Sequence, residues 1–264
     1  MTPRRGLSKE HRPRYLFAQW KGVVRRLRAA KRFLLIMDFD GTLVRLRARP
    51  EIPHMDNSVR RVLARLAQGH RATLYVISGR RRDDVRRRVG VRRIRYLGLH
   101  GWEGSGNVSS NGANAKLLRQ INRQLSRRLA GLPPIWIEDK KHVLSVHFRG
   151  SNPATTRRAH RIVKELIKPS DGQLRIVAGK KVWEVIPREI GGKGEAVRAI
   201  LARCPEETLP ICLGDDATDE AAFQALRRGV TVRVGEHRRT RARYYLRNPA
   251  EVKEFLERLE TEIP

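Results

Sequence analysis

Asp38 and Asp40 stand one residue apart at the end of the apolar run Leu34-Leu35-Ile36-Met37 and are followed by Gly41-Thr42. Two carboxylates this close repel, an arrangement that is costly unless a cation lies between them. A hard, oxygen-preferring ion such as Mg2+ suits the pair, because it takes few carboxylates and keeps positions for water and phosphate oxygens. The plainer alternative is a strand end followed by a turn, since Asp and Gly are favoured in turns anyway. Three further pieces weigh against that alternative. Ser78-Gly79-Arg80 closes a second apolar run, Thr73 to Ile77. Lys193 lies in Gly191-Gly192-Lys193-Gly194, where a helix opens. Gly214-Asp215-Asp216-Ala217-Thr218-Asp219-Glu220 closes a third run, Leu209 to Leu213.

Together these stretches resemble the four motifs of the haloacid dehalogenase-like phosphohydrolase superfamily, from about Phe33 to the C-terminus. The resemblance implies that Asp38 is the nucleophile and forms an aspartyl-phosphate. Asp40 is implied as general acid for the leaving oxygen and then as base for the attacking water. Ser78 and Lys193 would hold the phosphoryl oxygens. Asp215 would complete an Mg2+ shell with Asp38 and Asp40, supported by Asp216 or Asp219. The chemistry is coherent in its own right, since phosphoryl transfer needs positioning and charge neutralisation, and a carboxylate nucleophile splits one hard step into two. A hydrolase also needs a proton donor near the leaving group, which a second carboxyl supplies.

These residues must be presented by a sheet. The run ending at Asp38 reads as a strand buried on both faces. In an open parallel sheet, ligands bind beyond the carboxyl ends of the strands, which is where both aspartates fall. Asp56 reads as an N-cap for a helix carrying Val59, Val62, Leu63 and Leu66, closed by Gly69. A strand at Thr73 to Ile77, a charged helix at Arg81 to Val89 and a strand at Ile94 to Leu97 continue the alternation. It indicates a doubly wound parallel sheet of α/β class. After Arg45 to Pro53, an irregular link, the next break is the Gly/Ser/Asn-rich stretch Gly104 to Gly112. Beyond it come a helix (Leu117 to Leu129), two strands, a helix (Pro153 to Ile167) and two strands, then the core pattern resumes after Pro187. The expected organisation is therefore a basic N-terminal extension and helix over 1–31, a core over 32–103 and 188–264, and an inserted αββαββ cap over 104–187.

The chain has 264 residues, enough for a core with an insert, and carries 57 Lys and Arg against 27 Asp and Glu, a formal charge of +30. Arg25-Arg26, Arg60-Arg61, Arg127-Arg128 and Arg157-Arg158 show this charge spread over many helices, without an RNA-binding aromatic motif or zinc-finger spacing. Dispersed charge reads as solvated helix faces with some long-range attraction for anions, and no specific nucleic-acid partner is expected. Cys204 and Cys212 are too few for a disulfide framework. No apolar run reaches membrane-spanning length, and Lys21, Arg25 and Arg26 interrupt the N-terminal one, so a cytoplasmic protein without a membrane partner is expected. Phe17, Trp20, Val23, Val24 and Leu27 recur at helical spacing, which suits docking on the chain's own domain better than a membrane surface.

Within the insert, Glu138-Asp139-Lys140, then Ser145, His147 and Arg149, and later Lys180 and Glu184 are polar where core packing asks for apolar residues. Ser145, His147 and Arg149 alternate, so along one strand they share a face. That face is either simply solvated or reads a substrate. With Gly98-x-His100-Gly101-x-Glu103 and the Lys180…Glu184…Pro187 run, these residues resemble the trehalose-6-phosphate phosphatases. The resemblance implies an Mg2+-dependent hydrolysis of trehalose 6-phosphate, a phosphorylated disaccharide; separately, a monomer is expected. Lys140, His147, Arg149 and Glu184 would contact the sugar, with Gly79, Arg80, His100 and Glu103 completing the substrate site. Two alternatives stay open: a phosphatase for sucrose phosphate or a mannosyl- or glucosyl-phosphoglycerate, and a non-catalytic polyanion-binding protein.

Overall fold

The computed structural model describes residues 11–46, 55–104, 112–226, 228–235 and 239–262. Most of the links expected at 45–53 and 104–112 lies outside these residues. The chain divides into two compact units, 1–105 with 192–264, and 106–191.

The first unit alternates strands and helices. In chain order it contains β1 (Arg14–Tyr15), α1 (Trp20–Ala29), β2 (Arg32–Met37), α2 (Asn57–Gln68), β3 (Ala72–Ile77), α3 (Arg82–Val89) and β4 (Arg95–Leu97). The second unit holds α4 (Gly112–Leu129), β5 (Trp136–Asp139), β6 (Leu144–His147), α5 (Pro153–Ile167), β7 (Leu174–Gly179) and β8 (Val182–Pro187). The first unit then resumes with α6 (Lys193–Leu201), β9 (Thr208–Gly214), α7 (Asp219–Ala225), β10 (Val230–Val234), β11 (Tyr244–Leu246) and α8 (Pro249–Glu262).

Its seven strands form one parallel sheet in the order β1-β11-β10-β9-β2-β3-β4. The middle of that sheet explains the sequence of β2. Phe33, Leu35 and Met37 pack in one apolar cluster with α2 and α8, while Leu34 and Ile36 pack in another with α6 and α7. A strand covered on both faces has no polar side, hence the unbroken apolar run. Asp56 caps α2, its carboxylate accepting from the Ser58 backbone N–H at 2.7 Å. The N-terminal helix docks on its own unit: Leu16, Val23 and Leu27 are fully buried in the cluster that contains Phe255. Each such side chain contributes about 1.5–3 kcal/mol by leaving water, enough to keep a ten-residue helix in place. No helix among the described residues is long and apolar enough to cross a membrane.

In the second unit, an antiparallel sheet in the order β5-β6-β8-β7 turns one face to α4 and α5. Leu144, Val146, Trp183 and Val185 pack there against Leu125, Leu129, Ala159 and Val163. The period of two sends Ser145, His147 and Glu184 to the opposite face.

Candidate active site

Asp38 follows β2 directly, and its backbone N–H still joins the ladder, donating to the Leu213 carbonyl at 3.0 Å. The β2–β3 and β2–β9 pairings bring the ends carrying Asp38, Ser78 and Asp215 side by side. Lys193, the first residue of α6, reaches back to this point. Its Nζ lies 2.6 Å from Asp38 Oδ1 and 2.8 Å from Asp219 Oδ1. Asp38, Asp215 and Asp219 are all buried and offer carboxylate oxygens within 4.8 Å of one another. Burial pushes the Asp38 carboxyl well above the ordinary carboxylate range; Lys193 opposes this, and Asp219 and Asp215 add to it. Burial alone would lower the Lys193 ammonium, but Asp219 and Asp38 outweigh it and hold it protonated, well above the ordinary lysine range.

Three carboxylates facing one ammonium in a buried place leave excess negative charge. An all-oxygen donor set with that excess fits a hard divalent cation such as Mg2+. Close approach is built in at Gly41, where φ is +86° and a β-carbon would sit 2.1 Å from Asp215 Oδ2. Only glycine lets the turn after Asp40 pass that carboxylate.

Among the described residues, the buried carboxylate cluster contains two of the three aspartates expected around a metal, Asp38 and Asp215, and adds Asp219. Asp40 is not in the carboxylate cluster: its side chain is gripped by Arg80, with Nε to Oδ2 at 2.6 Å and Nη2 to Oδ1 at 2.8 Å. Asp216, expected in support, accepts from the Ala217 backbone N–H, while its own N–H donates to Asp219 Oδ2 at 3.0 Å. Asp219 thus occupies the central place. Arg80, expected on the substrate, also reaches Asp84 Oδ2 at 3.0 Å. Despite partial burial, the Arg88 and Arg80 guanidiniums hold the Asp84 carboxyl below its ordinary range. The bidentate grip fixes the Asp40 rotamer and leaves each oxygen a lone pair.

Ser78 is almost fully buried, and its Oγ accepts from the Arg80 N–H at 3.1 Å, which leaves the hydroxyl proton to donate. Residues 98–103 prop this turn from behind. Leu99 N–H donates to the Arg80 carbonyl at 2.8 Å and His100 N–H to the Ser78 carbonyl at 2.9 Å. Leu99 and His100 both adopt left-handed backbone, φ 48° and 59°, a conformation that costs a residue with a β-carbon and persists where surroundings impose it. Gly98 cannot carry a β-carbon, which would lie 2.1 Å from the Arg82 nitrogen. Glu103 is tied to the same loop, its Oε2 accepting from Arg82 N–H at 2.5 Å. His100 and Glu103 therefore brace the loop carrying Ser78, Gly79 and Arg80.

In the second unit, Lys140 Nζ donates to Glu184 Oε1 at 2.8 Å and Ser145 Oγ to the same oxygen at 3.1 Å. His147 Nε2 lies 3.0 Å from Glu138 Oε2. The ladder aligns Glu138, Ser145 and Glu184 in one row across three strands. Arg149 departs from the expectation. Strand pairing stops at Trp136 with His147, and Arg149 lies in the turn beyond, ahead of Gly150 at φ 83°. The alternation that aligns Ser145 with His147 does not reach it. Trp136, not singled out in the sequence, stacks on His147 with centroids 4.0 Å apart and is 39% exposed. Its spacing of two from Glu138 was the available signal.

A trehalose-phosphatase family model matches residues 36–250. The chain belongs to the trehalose-phosphatase family. It is 33% identical over 247 residues to "Probable trehalose-phosphate phosphatase 4" of Oryza sativa subsp. japonica, covering 87% of this chain and 66% of that protein. With a trehalose-phosphate phosphatase of Mycobacterium ulcerans it shares 32% identity over 244 residues, 87% of this chain and 62% of that one. The chain thus spans about two thirds of the length of these curated relatives. The C-terminal domain of a C. albicans trehalose-6-phosphate phosphatase superposes with a TM-score of 0.81 at 23% identity, over 96% of this chain and 99% of that one, and shares the fold. As a trehalose-phosphatase family member, the chain has the family's architecture of a parallel-sheet core with an inserted α+β unit.

Proposed function

We propose that this protein hydrolyses trehalose 6-phosphate, with Mg2+, through an aspartyl-phosphate on Asp38. The observation that carries the reading is the buried Asp38 carboxylate held by Lys193 at 2.6 Å inside a cluster suited to a divalent ion. The family model and the relatives' names support the substrate. Asp38 and Asp215, with Asp219 close by, would hold Mg2+, which would supply positive charge to the phosphoryl oxygens. Asp38 Oδ attacks phosphorus as the bond to the sugar oxygen breaks. Asp40, oriented by Arg80, gives that oxygen a proton and then takes one from the water that cleaves the aspartyl-phosphate. Lys193 and Ser78 donate to the phosphoryl oxygens. Lys140, His147, Arg149 and Glu184 pair with sugar hydroxyls, and Trp136 offers an apolar surface beside them.

Phosphate release from a panel of sugar phosphates tests the substrate. Trehalose 6-phosphate is expected to be turned over best, ahead of sucrose phosphate; preference for another sugar would reassign it. His147→Ala and Arg149→Ala test the sugar-reading role. Each loses a charged or polar hydrogen bond worth about 1.5–3 kcal/mol, an expected fall of about ten- to a hundred-fold in kcat/KM on the disaccharide. A small aryl phosphate has no sugar to hold and should be cleaved at nearly the wild-type rate by both variants. Equal losses on the two substrates would place these residues in folding or phosphate binding instead.

A further inference from the structure

The edge strand β4 borders a cavity of about 760 Å3 on the first unit, lined by none of Asp38, Asp40, Ser78, Lys193 or Asp215. Tyr75, Ile94, Leu97 and Ile200 contribute its apolar wall. Its rim is arginine: Arg82 and Arg86 from α3, Arg92 and Arg93 from the turn before β4, and Arg203 from beyond α6, all exposed. Among the described residues no Asp or Glu lines it. Among the described residues none of these five side chains makes an ion pair, whereas Asp84 on the same helix is shared by Arg80 and Arg88. A second cavity of about 600 Å3 shares Arg92 and Arg93 and adds Arg61, so the basic surface continues around the turn.

Scattered arginines on a basic protein are ordinarily solvated. This group differs in three ways. It is concave, it converges from separate elements, and apolar side chains line part of it, which helps focus the field of like charges that repel one another. Arg93 also holds left-handed backbone at φ 63°, which costs a residue with a β-carbon and turns the arginine pair at this corner. The volume falls within the range of small-molecule pockets. With only three residues, β4 is a short template for an added peptide strand.

We propose that this cavity is a second anion site that binds a small molecule carrying several phosphoryl groups. Guanidiniums pair with phosphate oxygens through paired N–H donors, and a single phosphate, with about two negative charges, would leave most of the positive charge of these five arginines unmatched. A chain of phosphates would match more of it. The group could come as inorganic oligophosphate or as a nucleoside triphosphate, and the apolar wall distinguishes them.

Calorimetric titration of the full chain with inorganic tripolyphosphate and with a nucleoside triphosphate tests this, without divalent metal and at about 150 mM salt, where diffuse surface attraction is screened. Saturable binding of at least one ligand is expected. The Arg92→Gln/Arg203→Gln pair should weaken it about thirty-fold or more, as expected when two charge-assisted contacts go. An Arg157→Gln/Arg161→Gln pair on α5, equal in charge removed, should change it less than about two-fold. Tighter nucleotide than tripolyphosphate binding would identify a base resting on the apolar wall; equal binding would identify the phosphate chain alone. Hydrogen exchange gives a second readout, with slowed amides over 91–95 expected on ligand addition. Phosphatase activity of the first pair should match wild type. Equal losses in the two pairs, or none in the first, would overturn the proposal, as would an absence of saturable binding.

Discussion

Asp38→Asn is expected to lower phosphate release by about 10^4-fold or more, since it removes the carboxylate proposed as the nucleophile. The same change should not unfold the protein. The Asp38 carboxyl is pushed up by burial and crowded by Asp219 and Asp215, and Asn keeps an oxygen able to accept from Lys193. Thermal unfolding of the variant, measured without metal, should therefore be no lower than wild type, which separates lost chemistry from a lost fold. Asp40→Asn should behave differently. It keeps the nucleophile and removes the proton carrier, so sugar phosphates, with their poor leaving groups, should suffer far more than an aryl phosphate. A comparable loss on both leaving groups would remove Asp40 from the proton-transfer role. Unchanged turnover in Asp38→Asn would remove Asp38 from the reaction.

Lys193→Met carries the second large effect, and it reaches stability as well as turnover. Lys193 bridges Asp38 and Asp219 at 2.6 and 2.8 Å, and all three side chains are buried. Removing one partner of a buried pair leaves charge uncompensated, a loss of about 3–5 kcal/mol. Denaturant unfolding in the absence of divalent metal should show that loss. Added Mg2+ should recover part of it in the variant, because a cation can take over the neutralisation. The double variant Lys193→Met/Asp219→Asn should also be more stable than Lys193→Met alone, since one orphaned charge goes with it. If Lys193→Met unfolds like wild type, the cluster is not held by that charge balance.

The core was legible because each of its signals is local. The run Leu34 to Met37 has no polar break, and its residues do alternate between two apolar clusters on opposite sheet faces. Asp56 and Gly69 bound α2 as capping chemistry suggests. The edges were not legible. Arg14–Tyr15 and Tyr244–Leu246 are two- and three-residue strands, too short to display a period of two, so the first and second strands of the sheet left no trace in the pattern. Long-range pairing escaped as well. Arg80 reads as part of a phosphate motif from its neighbours Ser78 and Gly79, yet its guanidinium is committed to Asp40, forty residues earlier. Asp219 read as a supporting carboxylate, and only the fold shows it shared with Lys193. The strand face expected to carry Arg149 stops at His147, since alternation holds only while the strand lasts.

Trapping the covalent intermediate tests the assignment of Asp38 most directly. Enzyme mixed with trehalose 6-phosphate and Mg2+, quenched in acid within a turnover and reduced with borohydride, should have its acyl-phosphate converted to the alcohol. The expected result is homoserine at position 38 in the mass spectrum of the peptide around Asp38-Phe39-Asp40, with Asp40 unaltered. Turnover with no reduced residue at position 38, or with the reduced residue at Asp40 or Asp215, would contradict it.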